Sequence, residues 1–138
     1  MPRVLAIDYG KKRTGLAVTD PLKIIATALE TVLTVNLMSY LEDYFKKEET
    51  EAIVLGLPVD LNSNDTDSTA EVKQFAEILK LKFPAIKVHF HDERFTSKMA
   101  VRSMIDSGMK KKDRQVKGNI DKISAVIILQ SFLESQRF

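Results

Sequence analysis

The chain of 138 residues carries a formal net charge of +2, with 44% hydrophobic and 29% charged residues, which excludes the apolar-poor profile of a disordered chain and suits one domain with a sizeable core. It has no cysteine and two histidines, which excludes disulfides and thiolate metal sites and favours hard cations such as magnesium on oxygen donors. Asp8 interrupts the stretch where a signal peptide needs its apolar core, and no apolar run approaches the roughly twenty residues that cross a bilayer, so a cytoplasmic protein with no membrane partner is expected.

Arg3-Val-Leu-Ala-Ile7 is a short apolar run ended by Asp8-Tyr9-Gly10, the pattern of a buried strand entering a turn. Thr14 to Val18 reads as its hairpin partner. Ile24 to Thr34, rich in Ile, Thr and Val after the turn at Pro21, predicts a third strand. The period then changes: Leu37, Leu41, Tyr44 and Phe45 recur at helical spacing between Asn36 and the charged stretch Lys46 to Glu51. Ala52 to Leu55 is a buried strand stopped by Gly56 and Pro58. Asn62 to Ser68 is a polar loop, and Val72, Phe75, Ala76 and Leu79 then mark an amphipathic helix ending before Pro84. Ile86 to His91 alternates as a fifth strand. Thr96 or Ser97 can cap a helix carrying Ala100, Met104 and Ile105, with Gly108 as its terminator. Met109 to Lys117 lacks apolar periodicity and predicts a mobile basic loop. The last helix is expected from Asn119 to Glu134, with the apolar run Ala125 to Leu129 well buried.

A meander followed by long helical crossovers makes a mixed five-stranded sheet flanked by helices, with the first hairpin antiparallel and the fourth and fifth strands parallel to the first. No repeat or linker divides the chain, so one domain over residues 1–138 is expected. Several α/β folds share this order.

Three acids stand at element ends: Asp8 closes the first strand, Glu93 follows the fifth, and Asp121 falls in the expected first turn of the last helix. The carboxyl ends of parallel strands lie together and commonly form sites. Converging carboxylates repel unless a cation sits between them, and a magnesium or manganese pair on such oxygens suits in-line phosphoryl displacement. Each acid also has a plainer use: Asp8 in the turn, Glu93 paired with Arg94, and Asp121 at a helix dipole. Basic residues form two clusters, Lys11, Lys12 and Arg13, and Lys110, Lys111, Lys112, Arg114 and Lys117, which are either solvated charge runs or phosphate contacts. Gly10 to Gly15 is glycine-flanked and basic but lacks P-loop spacing. His89 and His91 share one strand face and read as a partly buried, satisfied pair.

At these residues the chain resembles a known family. Asp8-Tyr-Gly-Lys-Lys-Arg-Thr-Gly-Leu-Ala17, Gly56-Leu-Pro58, Asp92-Glu-Arg94 with Thr96-Ser97, and Lys117-Gly-Asn-Ile-Asp121 with Ser124-Ala125 together look like the YqgF family, also called RuvX. The resemblance implies a ribonuclease H-like fold related to RuvC Holliday-junction resolvases, in a bacterial cytoplasmic nuclease that resolves branched DNA or matures the precursor of small-subunit ribosomal RNA. The family's acids fall on Asp8, Glu93 and Asp121, with Asp92 as neighbour. Its Gly-Leu-Pro element falls on Gly56, Leu57 and Pro58, where RuvC-type resolvases would place an acid. This chain departs at Asn62-Ser-Asn-Asp-Thr-Asp67, where relatives commonly have glycine and often a basic residue.

The expected function is therefore a metal-dependent nuclease acting on structured RNA or branched DNA, with Arg94 and the two basic clusters contacting phosphates and ribosome-associated factors as further partners. A nucleotide phosphotransferase of the actin and sugar-kinase type begins with a similar strand and turn, but needs two such domains. The remaining alternative is a non-catalytic nucleic-acid or translation-factor binding module, because the same ligands and cations serve binding without turnover.

Overall fold

The computed structural model describes residues 2–20, 22, 25–57, 67–92 and 117–135, and among them the side chains of all but residues 67, 68, 92 and 117–122. The chain opens with a meander of β1 (Arg3–Asp8), β2 (Arg13–Thr19) and β3 (Ala26–Leu33). A 3-10 turn at Thr34–Asn36 leads into helix α1 (Leu37–Lys47), followed by β4 (Thr50–Leu57), α2 (Asp67–Lys82), β5 (Lys87–Asp92) and α3 (Lys117–Ser135). The sheet order is β3-β2-β1-β4-β5. The meander pairs antiparallel, while β4 and β5 run parallel to β1, as the crossover lengths require.

Strand alternation sorts the core into two layers. Leu5, Ile7, Leu16, Val18, Ile53 and Leu55 face Leu37 and Leu41 of α1 and Val72, Phe75, Ala76 and Leu79 of α2. Val4, Ala6, Ala17, Ala52 and Val54 face Ala125, Ile128, Leu129 and Leu133 of α3. A central strand covered on both faces must be apolar at successive positions, which is why Val4 to Ile7 shows no alternation. The alanines on the second face let α3 approach closely. Fully burying a side chain such as Leu5 is worth about 1.5–3 kcal/mol.

Some boundaries differ from those expected. The charged stretch Lys46 to Glu51 is divided, with Lys46 and Lys47 in the last turn of α1 and Thr50 and Glu51 in β4. The reason is pairing: Arg3 N–H donates to the Glu49 carbonyl at 2.9 Å, and Arg3 is in register with Thr50. The third strand starts at Ala26 and stops before Thr34, α2 already includes Ser68, and α3 begins at Lys117. The helix expected after Thr96 or Ser97 and the basic stretch up to Val116 lie outside the described residues. Among the described residues no helix is long and apolar enough to cross a membrane.

Candidate active site

β1 is the middle strand and its parallel neighbours end at the same edge of the sheet. Asp8, the last residue of β1, is half-buried and directly opposite Gly15 of β2. On the other side, Ile7 is level with Leu55, so the next position along β4 is Gly56, itself in register with His91 of β5. Alternation places Asp8, Gly15, Gly56 and His91 on the face covered by α3. The two glycines put no side chain beside the carboxylate. From β1 to β5 is two strand spacings, about 9–10 Å, and β5 ends at Asp92, one residue before Glu93.

The turn after Asp8 is held from three directions. A Cβ on Gly10 would lie 2.3 Å from the Arg13 carbonyl oxygen, a distance no side chain tolerates, so this close return of the backbone requires glycine. Thr34 Oγ1 donates to the Gly10 carbonyl at 2.6 Å and lies 2.9 Å from Thr14 Oγ1. Since a hydroxyl has one proton, Thr14 is the donor of the second bond. Thr34 N–H also donates to the Lys12 carbonyl at 2.8 Å. Tyr9 stacks on Phe75 of α2 with centroids 4.6 Å apart, and Lys11 pairs with Glu71 of α2 at 3.5 Å.

Across the sheet, His91 Nε2 and Ser131 Oγ of α3 are 2.7 Å apart, and the rings of His89 and His91 lie 5.3 and 6.3 Å from that of Phe132. The histidines are thus a partly buried, partnered pair, as their alternation suggested. What alternation could not reveal is that His91 shares a row with Asp8. The Thr14, Thr34 and Gly10 chain was equally hidden, because its members are up to 24 residues apart.

The expected site residues fall unevenly. Asp8 and the Lys11 to Arg13 cluster are described; Lys11 and Lys12 are exposed and Arg13 is half-buried. Asp121 lies in α3 as its fifth residue, past the first turn, because the helix starts two residues before the expected Asn119. Lys117 is the first residue of α3. Glu93, Arg94, Lys110, Lys111, Lys112 and Arg114 lie outside the described residues. Among the described residues no three His, Asp or Glu side chains converge as a metal site. A cavity of about 820 Å³, lined by Pro2, Val4, Thr50, His89, Phe132 and Leu133 among others, opens at the amino edge of the sheet, far from Asp8, and is not this site.

Known proteins resemble this chain in sequence and in fold. A protein from Flavobacterium johnsoniae named "Putative pre-16S rRNA nuclease" is 51% identical over 138 residues, covering 100% of both chains. One of the same name from Bacteroides thetaiotaomicron is 49% identical, again over 100% of both. Among solved structures, the fowlpox virus resolvase in complex with Holliday junction DNA matches with TM-score 0.63 at 15% identity, over 99% of each chain. Thermus thermophilus RuvC matches with TM-score 0.58 at 16% identity, over 97% of this chain and 95% of that one. At such identities these structures establish the resolvase-type, ribonuclease H-like fold. The family model described as "RuvX: Holliday junction resolvase" matches residues 2–135, and the chain belongs to that family.

Proposed function

We infer that the protein is a metal-dependent nuclease that hydrolyses phosphodiester bonds, with precursor small-subunit ribosomal RNA as its substrate and branched DNA as the structural analogue. The observation that carries this reading is Asp8 at the carboxyl edge of the middle strand, between two glycines, on a chain of the RuvX family. Glu93, next in sequence to the end of β5, and Asp121 of α3 complete the proposed set. Asp121 precedes Ser124 and Ala125, both buried against the sheet, by three and four residues, one helical turn.

An all-carboxylate donor set in a chain without cysteine fits magnesium or manganese. When bound, such an ion supplies Lewis-acid stabilisation of the phosphoryl oxygens. The chain's own residues do the rest. Asp8, Glu93 and Asp121 hold the ion and orient the attacking water, while Lys11, Lys12, Arg13, Arg94, Lys110, Lys111, Lys112, Arg114 and Lys117 hold the backbone phosphates in register. On this reading the protein works in the cytoplasm, with ribosome-associated factors as further partners.

The test is cleavage of structured RNA and of a four-way DNA junction by purified protein with magnesium, manganese or chelator. Wild type cuts with metal, and Asp8→Asn, Glu93→Gln and Asp121→Asn fold but do not cut. If the folded variants cut as well as wild type, the site is wrong. If wild type cuts neither substrate, the nuclease reading fails and the binding-module reading gains ground.

A further inference from the structure

The cluster Lys11-Lys12-Arg13 looks like one basic patch, and the fold takes it apart. Lys11 is exposed and paired with Glu71, and Lys12 is exposed. Arg13 is the first residue of β2, and its Nε is enclosed with no hydrogen-bond partner. The alternation of β2 sends Leu16 and Val18 to one face and Ala17 to the other. Arg13 and Gly15 therefore share the α3 face with Asp8.

Asp8 is directly opposite Gly15, so Arg13 is its diagonal neighbour, with Cβ atoms about 7–8 Å apart. Gly15 puts no side chain between them, and neither does Gly10, the residue packed against the Arg13 carbonyl. The strand end carrying Arg13 is fixed from behind, because the same turn is clamped by Thr34 and Thr14. A guanidinium keeps its charge at any working pH and presents a rigid fork suited to phosphate oxygens. Enclosing Nε without an acceptor is unfavourable in the free protein, and a turn of the guanidinium onto an anion beside Asp8 would relieve that cost.

We propose that Arg13, beyond helping to hold the backbone phosphates, is a catalytic residue that contacts the scissile phosphate beside Asp8. This rests on the nuclease reading given above. In the reaction, the bond from the water oxygen to phosphorus forms and the phosphorus–oxygen ester bond breaks. One proton of the water is lost to solvent and the leaving oxygen takes one up, giving a phosphate monoester and a sugar hydroxyl. Arg13 donates to a non-bridging oxygen, whose charge is greatest in the transition state, so its effect falls mainly on kcat.

Arg13→Lys keeps the charge and loses the fork; Arg13→Ala loses both. Steady-state cleavage with magnesium is measured for both variants alongside Asp8→Asn, with thermal melting as a check of folding. Loss of the fork should lower kcat on the order of a hundredfold in both variants, with KM changed less than threefold in Arg13→Lys. A kcat for Arg13→Lys within threefold of wild type overturns the proposal while leaving the nuclease reading intact, provided Asp8→Asn is inactive. Should wild type cut nothing, the nuclease reading fails separately, and labelling still decides about Arg13. Phenylglyoxal modification of Arg13, read by mass spectrometry, should be blocked by a phosphorothioate oligonucleotide in the presence of magnesium. Unprotected labelling at saturating oligonucleotide overturns the contact.

Discussion

The ring of Tyr9 lies on that of Phe75, 24° from parallel, so the residue that follows Asp8 is anchored in the core between the sheet and α2. Replacing Phe75 with alanine removes both a core side chain and that anchor. The expected loss is about 3–5 kcal/mol, a large share of the roughly 5–15 kcal/mol that holds an ordinary domain together. Phe75→Leu should lose less. Urea unfolding of the two variants and wild type measures the difference, and a Phe75→Leu midpoint equal to that of wild type would show that the ring stack contributes nothing beyond bulk.

Gly10→Ala should be costly for a different reason. Its Cβ would meet backbone rather than a flexible side-chain end, so the turn itself must shift, at about 2 kcal/mol or more. Because the same backbone carries Asp8 on one side and Arg13 on the other, cleavage should fall further than stability predicts. A variant with wild-type melting and wild-type turnover would mean that the turn has room to relax.

Removing divalent metal should separate Asp8→Asn from wild type. An ion that binds only the folded chain stabilises it by about 2.7 kcal/mol at a hundredfold excess over Kd, so on the proposed reading wild-type protein should melt higher in magnesium than in chelator. Asp8→Asn should lose that rise. In chelator it should melt at or above wild type, since the proposed set of converging carboxylates would carry one charge fewer. Differential scanning calorimetry decides, and an equal metal-induced rise in both proteins would place the ion elsewhere.

The link between α1 and α2 predicts a pH dependence. Glu42 is hydrogen-bonded to Lys82, and that bond, reinforced by the Lys82 charge, holds its carboxyl below the usual value of 4.5. A carboxyl whose pKa is lower folded than unfolded adds stability that is present above the unfolded value and disappears as pH falls through the folded one. Wild type should therefore be slightly more stable than Glu42→Gln at neutral pH, by a margin that shrinks in salt because the pair is exposed. The two melting curves should converge below pH 4.5. A gap that persists in acid would show that the effect does not come from the carboxylate charge.

Ser131→Ala removes a hydroxyl 2.7 Å from His91 Nε2, a bond that ties β5 to α3 beside the Asp8 row. The expected loss is about 1 kcal/mol, read from chemical unfolding. Ser131→Thr should recover most of it, and an alanine variant as stable as wild type would show that water replaces the hydroxyl without cost.

Among the described residues, the element order, the parallel and antiparallel pairings and the position of Asp8 at the end of β1 were all legible in the sequence. Those properties are local: the period of apolar residues distinguishes strand from helix, and the length of a crossover determines whether two strands can run parallel. The family, too, was legible, because its motifs run in order along nearly the whole chain. Which side chains meet depends on the three-dimensional fold. Thr14 and Thr34 are 20 residues apart and His91 and Ser131 are 40, and no short-range pattern encodes such pairs. The start of β4 at Thr50 depends on its pairing with Arg3, so a charged stretch that reads as loop becomes strand. The fold also separated three consecutive basic residues, leaving Lys11 on Glu71, Lys12 in solvent and Arg13 on the sheet face of Asp8, because strand alternation and sheet register, not charge, decide which way a side chain points.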